Sequence, residues 1–173
     1  MSGIRDLFRN PWPNTIGDWK IFNGTTANLE LRMSGNGQWM FWRSIDTSSA
    51  SVSYDIECEP GTYVVSFTNY SSTHASTLRI KDIGDELTVV ASTQCPAGNM
   101  VLNTIECTVK GGIQVILDFP KVKEASGSYG RFLCCSKDDW NTLQQIAAAG
   151  RITAPWFAPP INGTPQTKYP YGK

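Results

Sequence analysis

The chain has 173 residues, 40% of them hydrophobic and only 17% charged, with 15 basic side chains against 15 acidic ones. That length suits one domain with a proper buried core, and the low charge leaves Ser, Thr, Asn and Gly to build much of the surface. The balanced charge, with no block of one sign, speaks against nucleic-acid binding and against a basic amphipathic helix on a membrane.

From residue 18 to residue 136 the pattern is period-two alternation, the signature of half-buried strands. Trp19 and Ile21, then Leu29 and Leu31, mark two short strands separated by the turn-like Asn23-Gly24. The segment QWMFWRS at 38–44, after a GNG hairpin turn at 35–37, is an aromatic strand apolar on both faces. Trp39, Phe41 and Arg43 share one side of it, and Met40 and Trp42 the other. Val52, Tyr54 and Ile56 alternate with serines and Asp55, and Glu59-Pro60-Gly61 reads as a turn. Tyr63, Val65 and Phe67 follow, then Leu78 and Ile80, Leu87 and Val89, and Ile105, Cys107 and Val109. Gly111-Gly112 has the chemistry of a two-residue hairpin turn into Ile113, Val115, Leu117 and Phe119. Residues 130–136 supply a last strand. About ten short, turn-punctuated strands predict an all-β fold, an antiparallel β-sandwich or jelly roll.

One helix is expected over 137–149. Ser136 can cap it, Asp138 and Asp139 suit its first turn, and Gly150 can end it. Trp140, Leu143, Ile146 and Ala147 form one apolar stripe that can lie on the sandwich. Residues 151–173 hold five of the ten prolines and cannot continue a helix, so they favour an extended conformation. The expected organisation is therefore an N-terminal arm at 1–17, a sandwich with its closing helix at 18–150, and a Pro-rich C-terminal docking arm at 151–173.

Five cysteines cannot all pair internally, and Cys134 and Cys135 should point to opposite sides of a strand. Without CxxC spacing and with a single histidine, His74, the expectation is buried reduced thiols rather than a metal site. No stretch approaches the roughly 20 apolar residues of a spanning helix, so no membrane insertion is expected. The opening MSGIRDLFRNPWP lacks the apolar core of a signal peptide, which predicts folding in a cytoplasm. Catalysis has little to rest on. No two carboxylates are paired by the sequence, Asp138 and Asp139 are explained by the helix dipole, and His74 sits in a polar turn-like stretch. No phosphate-binding glycine loop is present. The expectation is a non-enzymatic protein without a cofactor.

Binding is better supported. Sugars stack their C–H faces on flat aromatic rings, and six tryptophans are plentiful for this length. Two readings of the 38–44 strand stay open. Either both of its faces are buried, or one carries a glycan platform formed by Trp39 or Trp42, with Arg43, Asn69 and Tyr70 nearby. Separately, Trp12, Trp156, Phe157, Tyr169 and Tyr171 lie outside the regular strands. On proline-stiffened arms they suit an assembly interface and predict a homo-oligomer.

Several motifs carry a family resemblance. RNPWPNTIGDWKIFNG at 9–24, EPGTYVVSF at 59–67 and the later KGGIQVILDFPKVKEAS resemble the opening, a middle strand and the late hairpin of carbohydrate-binding-module-like (galactose-binding-like) jelly rolls. The stretch 135–157 resembles the Trp-x-x-Leu helix and aromatic step that follow such jelly rolls in minor tail proteins of phages infecting actinobacteria. The resemblance covers 9–157 and implies a phage virion structural protein, made in the host cytoplasm. Its implied partners are other virion proteins and host-surface carbohydrate. The alternatives are a capsid decoration protein or head fibre, and a cellular glycan-binding accessory module. The family also implies a structural calcium. Asp118 and Asp18 could serve as its ligands or be ordinary turn and strand-end acids, and no full carboxylate set is visible.

Overall fold

The structure is a computed structural model that describes residues 6–8, 19–33 and 39–150. Among the described residues it holds ten strands, one short 3₁₀ turn and one α-helix. The strands are β1 (Lys20–Asn23), β2 (Leu29–Met33), β3 (Met40–Ser44), β4 (Ser51–Ile56), β5 (Gly61–Tyr70), β6 (Ser76–Asp82), β7 (Thr88–Cys95), β8 (Val101–Val109), β9 (Ile113–Asp118) and β10 (Ser126–Ser136). They form two five-stranded antiparallel sheets, ordered β1-β4-β9-β6-β7 and β2-β3-β10-β5-β8. This is the antiparallel sandwich that the alternation predicts.

The Gly111-Gly112 turn differs from its expectation. β8 and β9 lie in different sheets, so the two glycines carry the chain across the sandwich instead of closing a hairpin. Two-residue glycine chemistry fixes a tight reversal, but not which strand the reversal pairs with. Gly112 takes a left-handed φ of 78° and donates its N–H to the Cys58 carbonyl at 3.1 Å. Buried Asp82 braces the same corner by accepting from the N–H groups of Gly84 at 2.9 Å and Lys110 at 2.6 Å.

Between the sheets runs an aromatic spine. Trp42 is fully buried, with ring centroids 5.1 Å from Phe119 and 5.7 Å from Tyr129. Phe67 links Tyr129 to Phe132 at 5.0 and 5.8 Å, and Phe8 and Trp19 continue the row. The Tyr129 hydroxyl finds its partner in Ser76 Oγ at 2.6 Å, as a buried phenol requires.

Residues 6–8 belong to this core, although they fall in the segment expected to be an arm. Phe8 is 0% exposed. Leu7 donates its N–H to the Cys134 carbonyl at 2.7 Å, and the Cys134 N–H returns to Asp6 Oδ1 at 2.9 Å.

The helix, α1, spans Lys137–Ala148. The Ser136 hydroxyl caps it by accepting from the Asp139 N–H at 3.1 Å, and Gly150 beyond it has φ 70°. Leu143 is buried, and with Trp140 and Ile146 it covers Leu133 and Cys135 on the outer side of β10. Cys134 points the other way, into the core, so the adjacent cysteines are split as period two demands. All five thiols are free, and Cys58 is half-buried rather than enclosed. No described helix is long and apolar enough to cross a membrane. Trp12, Trp156, Phe157, Tyr169, Tyr171 and Asp18 lie outside the described residues.

Candidate functional site

The two outer faces of the sandwich differ in chemistry. On the β1-β4-β9-β6-β7 face several charged side chains are paired with one another, while Lys81 lies 5.1 Å from the centre of the exposed Phe22 ring. Arg79 chelates both oxygens of Asp118, Gln114 donates to Asp55 at 3.0 Å, and Lys20 reaches Asp55 at 3.6 Å. Asp118 is therefore an ion-pair partner and not a calcium ligand, because its two oxygens already face a guanidinium. Among the described residues, no group of three or more His, Cys, Asp or Glu side chains could hold a metal ion.

The β2-β3-β10-β5-β8 face is built differently. The pairings Glu30↔Arg43, Arg32↔Phe41, Phe41↔Ser128, Arg43↔Ser126 and Ser128↔Tyr70 set these side chains side by side on one surface. Trp39 joins them from just before β3. It follows in register with Gly130, since Met40 pairs with Tyr129. With no side chain at Gly130 in the way, the indole reaches across β10 to Tyr70, with ring centroids 5.3 Å apart and planes at 29°. Tyr70 is 43% exposed, while Trp39 is 9% exposed.

A bulge in β10 adds a further group. Gly130 pairs with Thr68 and Leu133 with Ser66, so Arg131 and Phe132 together oppose Phe67. Phe132 turns into the core. Arg131 takes a left-handed φ of 58° and sets its guanidinium 5.3 Å from the centre of the Trp39 ring. Burial pulls the Arg131 pKa below its ordinary value. A non-glycine residue held at positive φ costs on the order of 1 kcal/mol, and bulges commonly re-aim a side chain at a functional surface.

The rest of the face continues the theme. Arg32 lies 4.3 Å from the Phe41 ring centre and 3.2 Å from Glu30. Arg43 reaches Glu30 at 2.8 Å and Glu124 at 3.3 Å, and its Nε has no partner among the described residues. The hydroxyls of Ser66 and Thr68, buried beside this surface, likewise lack a hydrogen-bond partner among the described residues. Toward the helix end the face closes, because α1 covers it.

Of the five residues expected to form a glycan platform, the structure brings Trp39, Arg43 and Tyr70 to this one face. Trp42 and Asn69 are corrections. Trp42 is 0% exposed within the aromatic spine, and Asn69 is 0% exposed with its Nδ2 bound to the Pro96 carbonyl at 2.9 Å. Each neighbours a surface residue, and strand alternation turns each of them inward. Sequence reasoning missed Arg131 and Arg32. Arg32 could have been found from its period-two match to Glu30, whereas Arg131 depends on a bulge.

Two cavities lie elsewhere. One of about 430 Å³ is lined by Leu7, Cys58, Tyr63 and the carboxylates Glu57, Glu59 and Asp139. Burial pushes the Tyr63 phenol up to about 12, and its hydroxyl donates to the Glu59 carbonyl at 2.8 Å. Glu57 and Glu59 are both exposed. The other cavity, about 670 Å³, is an apolar cleft between the edge strands β1 and β2, lined by Trp19, Ile21, Leu29 and Leu31.

No family model matches the chain, and no curated protein matches it in sequence. Solved structures do match in fold. The enzymatically active domain of the bacteriophage CBA120 tailspike protein 4 aligns with TM-score 0.62 and 14% identity, covering 75% of this chain but only 21% of that chain. The carbohydrate-binding module TmCBM61, solved with β-1,4-galactotriose, aligns with TM-score 0.53 and 15% identity, covering 75% of this chain and 97% of the module. The xylan-binding module CBM86 from Roseburia intestinalis aligns with TM-score 0.52 and 14% identity, covering 70% of this chain and 91% of the module. The chain thus shares the β-sandwich fold of carbohydrate-binding modules, a fold also found within a phage tailspike.

Proposed function

We propose that the protein binds glycans, without cleaving them, through the outer face of the β2-β3-β10-β5-β8 sheet. The observation that carries this reading is the exposed Tyr70 ring held against Trp39, with Arg32, Arg43 and Arg131 around it. An aromatic ring supplies the apolar contact for a sugar's C–H face, and guanidinium donors suit its oxygens. Among the described residues, the opposite face ties Arg79 to Asp118 and Lys20 to Asp55, and its exposed ring, Phe22, lies under Lys81 with no second ring stacked on it.

Within this reading the protein is a virion structural component of a phage, placed at the tail as a minor tail protein that contacts host-surface glycans. The resemblance of residues 135–157 to minor tail proteins supports that placement, as does the shared fold with a tailspike domain. The terminal segments with Trp12, Trp156, Phe157, Tyr169 and Tyr171 would dock it into a homo-oligomer and onto other virion proteins.

Affinity electrophoresis through a panel of polysaccharides tests the binding. Retardation by at least one polymer, without release of reducing ends, supports the proposal, whereas migration unaffected by every polymer contradicts it. Light scattering on the chain with and without residues 151–173 tests the assembly role. An oligomer that falls to a monomer on truncation supports it, and two identical monomers contradict it.

A further inference from the structure

The surface offers guanidinium groups more than open rings. Arg32 caps Phe41, Arg131 and Tyr70 both engage Trp39, and Tyr70 remains as the exposed ring. Among the described residues around this ring cluster, three guanidinium groups face two carboxylates, Glu30 and Glu124. Farther along the sheet, Glu106 is matched by Lys137 at 2.6 Å. The described part of the cluster thus gathers three guanidinium groups on one face, although the chain as a whole is balanced.

Arg131 is placed there at a cost. Its backbone is held at φ 58°, and the bulge that holds it adds nothing to the ladder between β10 and β5. Glycine would satisfy that backbone conformation with less strain, so the arginine side chain needs another reason to be there. A partly desolvated cation on a binding surface gains more from a charged ligand than from a neutral hydroxyl. Its planar fork also fits carboxylate and sulfate groups with two parallel hydrogen bonds.

Building on the glycan-binding reading of this face, we propose that its ligand is an acidic polysaccharide. Arg131, re-aimed by the β10 bulge onto the Trp39 ring, would be the residue that selects the ligand's anionic group. Arg43 and Arg32 extend the same cationic track along β3 and β2, so that a chain crossing the sheet meets successive guanidinium groups.

Matched polymer pairs provide the test. Binding of the full chain is measured calorimetrically to polygalacturonate and to its methyl-esterified form, and to dextran sulfate and plain dextran. The first pair reports a carboxylate ligand and the second a sulfate. The proposal expects at least about tenfold tighter binding to the charged member of one pair, weakening as salt shortens the screening length. Arg131→Gly suits the left-handed backbone, so it should melt no earlier than the parent while losing about tenfold in affinity or more. Arg131→Lys keeps the charge without the fork and should fall between the two.

Equal affinity within both pairs, or an Arg131→Gly variant with unchanged affinity, would overturn the selection of acidic ligands. If Tyr70→Ala still abolished binding in that case, glycan recognition by this face would stand. If neither member of either pair bound, nor any other polysaccharide of the panel, both readings would fall together.

Discussion

Trp39 and Tyr70 stack across the width of β10, with ring centroids 5.3 Å apart, because Gly130 leaves the strand between them without a side chain. Strands lie about 4.8 Å apart, so a contact between residues on β3 and β5 needs one long ring and an empty position. The stack makes Trp39 a support that is 9% exposed and leaves Tyr70 as the contact ring at 43%.

The two residues should therefore separate in mutagenesis. Tyr70→Ala is expected to weaken glycan binding by about tenfold or more, with a stability loss within roughly 1 kcal/mol. Trp39→Ala should reduce both, because Arg131 and Tyr70 lose their shared surface. Urea denaturation alongside affinity electrophoresis would check the split. Equal stability loss in the two variants would contradict it.

Trp42 is expected to behave as a core residue. Its indole packs on Phe119 and Tyr129 at 0% exposure, so Trp42→Ala should cost roughly 3–5 kcal/mol. Trp42→Phe should retain glycan binding at reduced stability, because the indole Nε1 has no hydrogen-bond partner among the described residues. Denaturant midpoints report the cost, and binding by the Phe variant reports that the residue plays no direct part in recognition.

Asp6 should make stability depend on pH. Burial drives its carboxyl well above the usual carboxylate range, outweighing the N–H donations from Cys134 and Phe8. The thiols of Cys134 and Cys135, on either side of β10 beside it, are themselves pushed up by burial and stay neutral. A folded-state pKa above the unfolded value of about 3.9 means that the contribution is full below pH 4 and is lost as pH rises through the folded value. Asp6→Asn keeps an oxygen acceptor without the charge. Its melting temperature should vary less than the parent's from pH 4 upward and should match or exceed it at neutral pH. A parent profile that rises over that range in parallel with the variant would contradict the account.

Thiol reactivity should follow burial. Burial raises Cys95 to about 11 and Cys107 to about 12, and the half-buried Cys58 is raised less by the same cause. Iodoacetamide at neutral pH, read by mass spectrometry, should label Cys58 first and slowly, and all five cysteines only after unfolding. Fast labelling of Cys107 in the folded protein would show that this end of the sandwich opens.

Much of the fold was legible because alternation survives cleanly in β3, β6 and β8, whereas the row expected from Leu87 and Val89 is exposed. The split of Met40 and Trp42 from Trp39, Phe41 and Arg43 followed from period two, but which side was core depended on distant residues. Trp42 is claimed by Phe119 and Tyr129, far along the chain. Asn69 was misplaced beside Tyr70 although alternation already separated them. Gly111-Gly112 misled because its turn chemistry is local, while the choice of sheet is set by what each strand buries. Arg131 was invisible for another reason. A bulge changes the parity of a strand at one residue, and nothing in the run GSYGRFLCCS marks where the extra residue falls. Asp6 and Phe8 were hidden in a segment too short to show any period.

The most direct test of the central claim compares variants on the two outer faces in one affinity gel. The parent, Tyr70→Ala, and Arg79→Ala from the opposite, charge-paired face would be run through the polysaccharide that retards the parent most. The account predicts that Tyr70→Ala migrates freely while Arg79→Ala is retarded like the parent. Retention of Tyr70→Ala together with loss of retardation in a folded Arg79→Ala would place binding on the other sheet and contradict it.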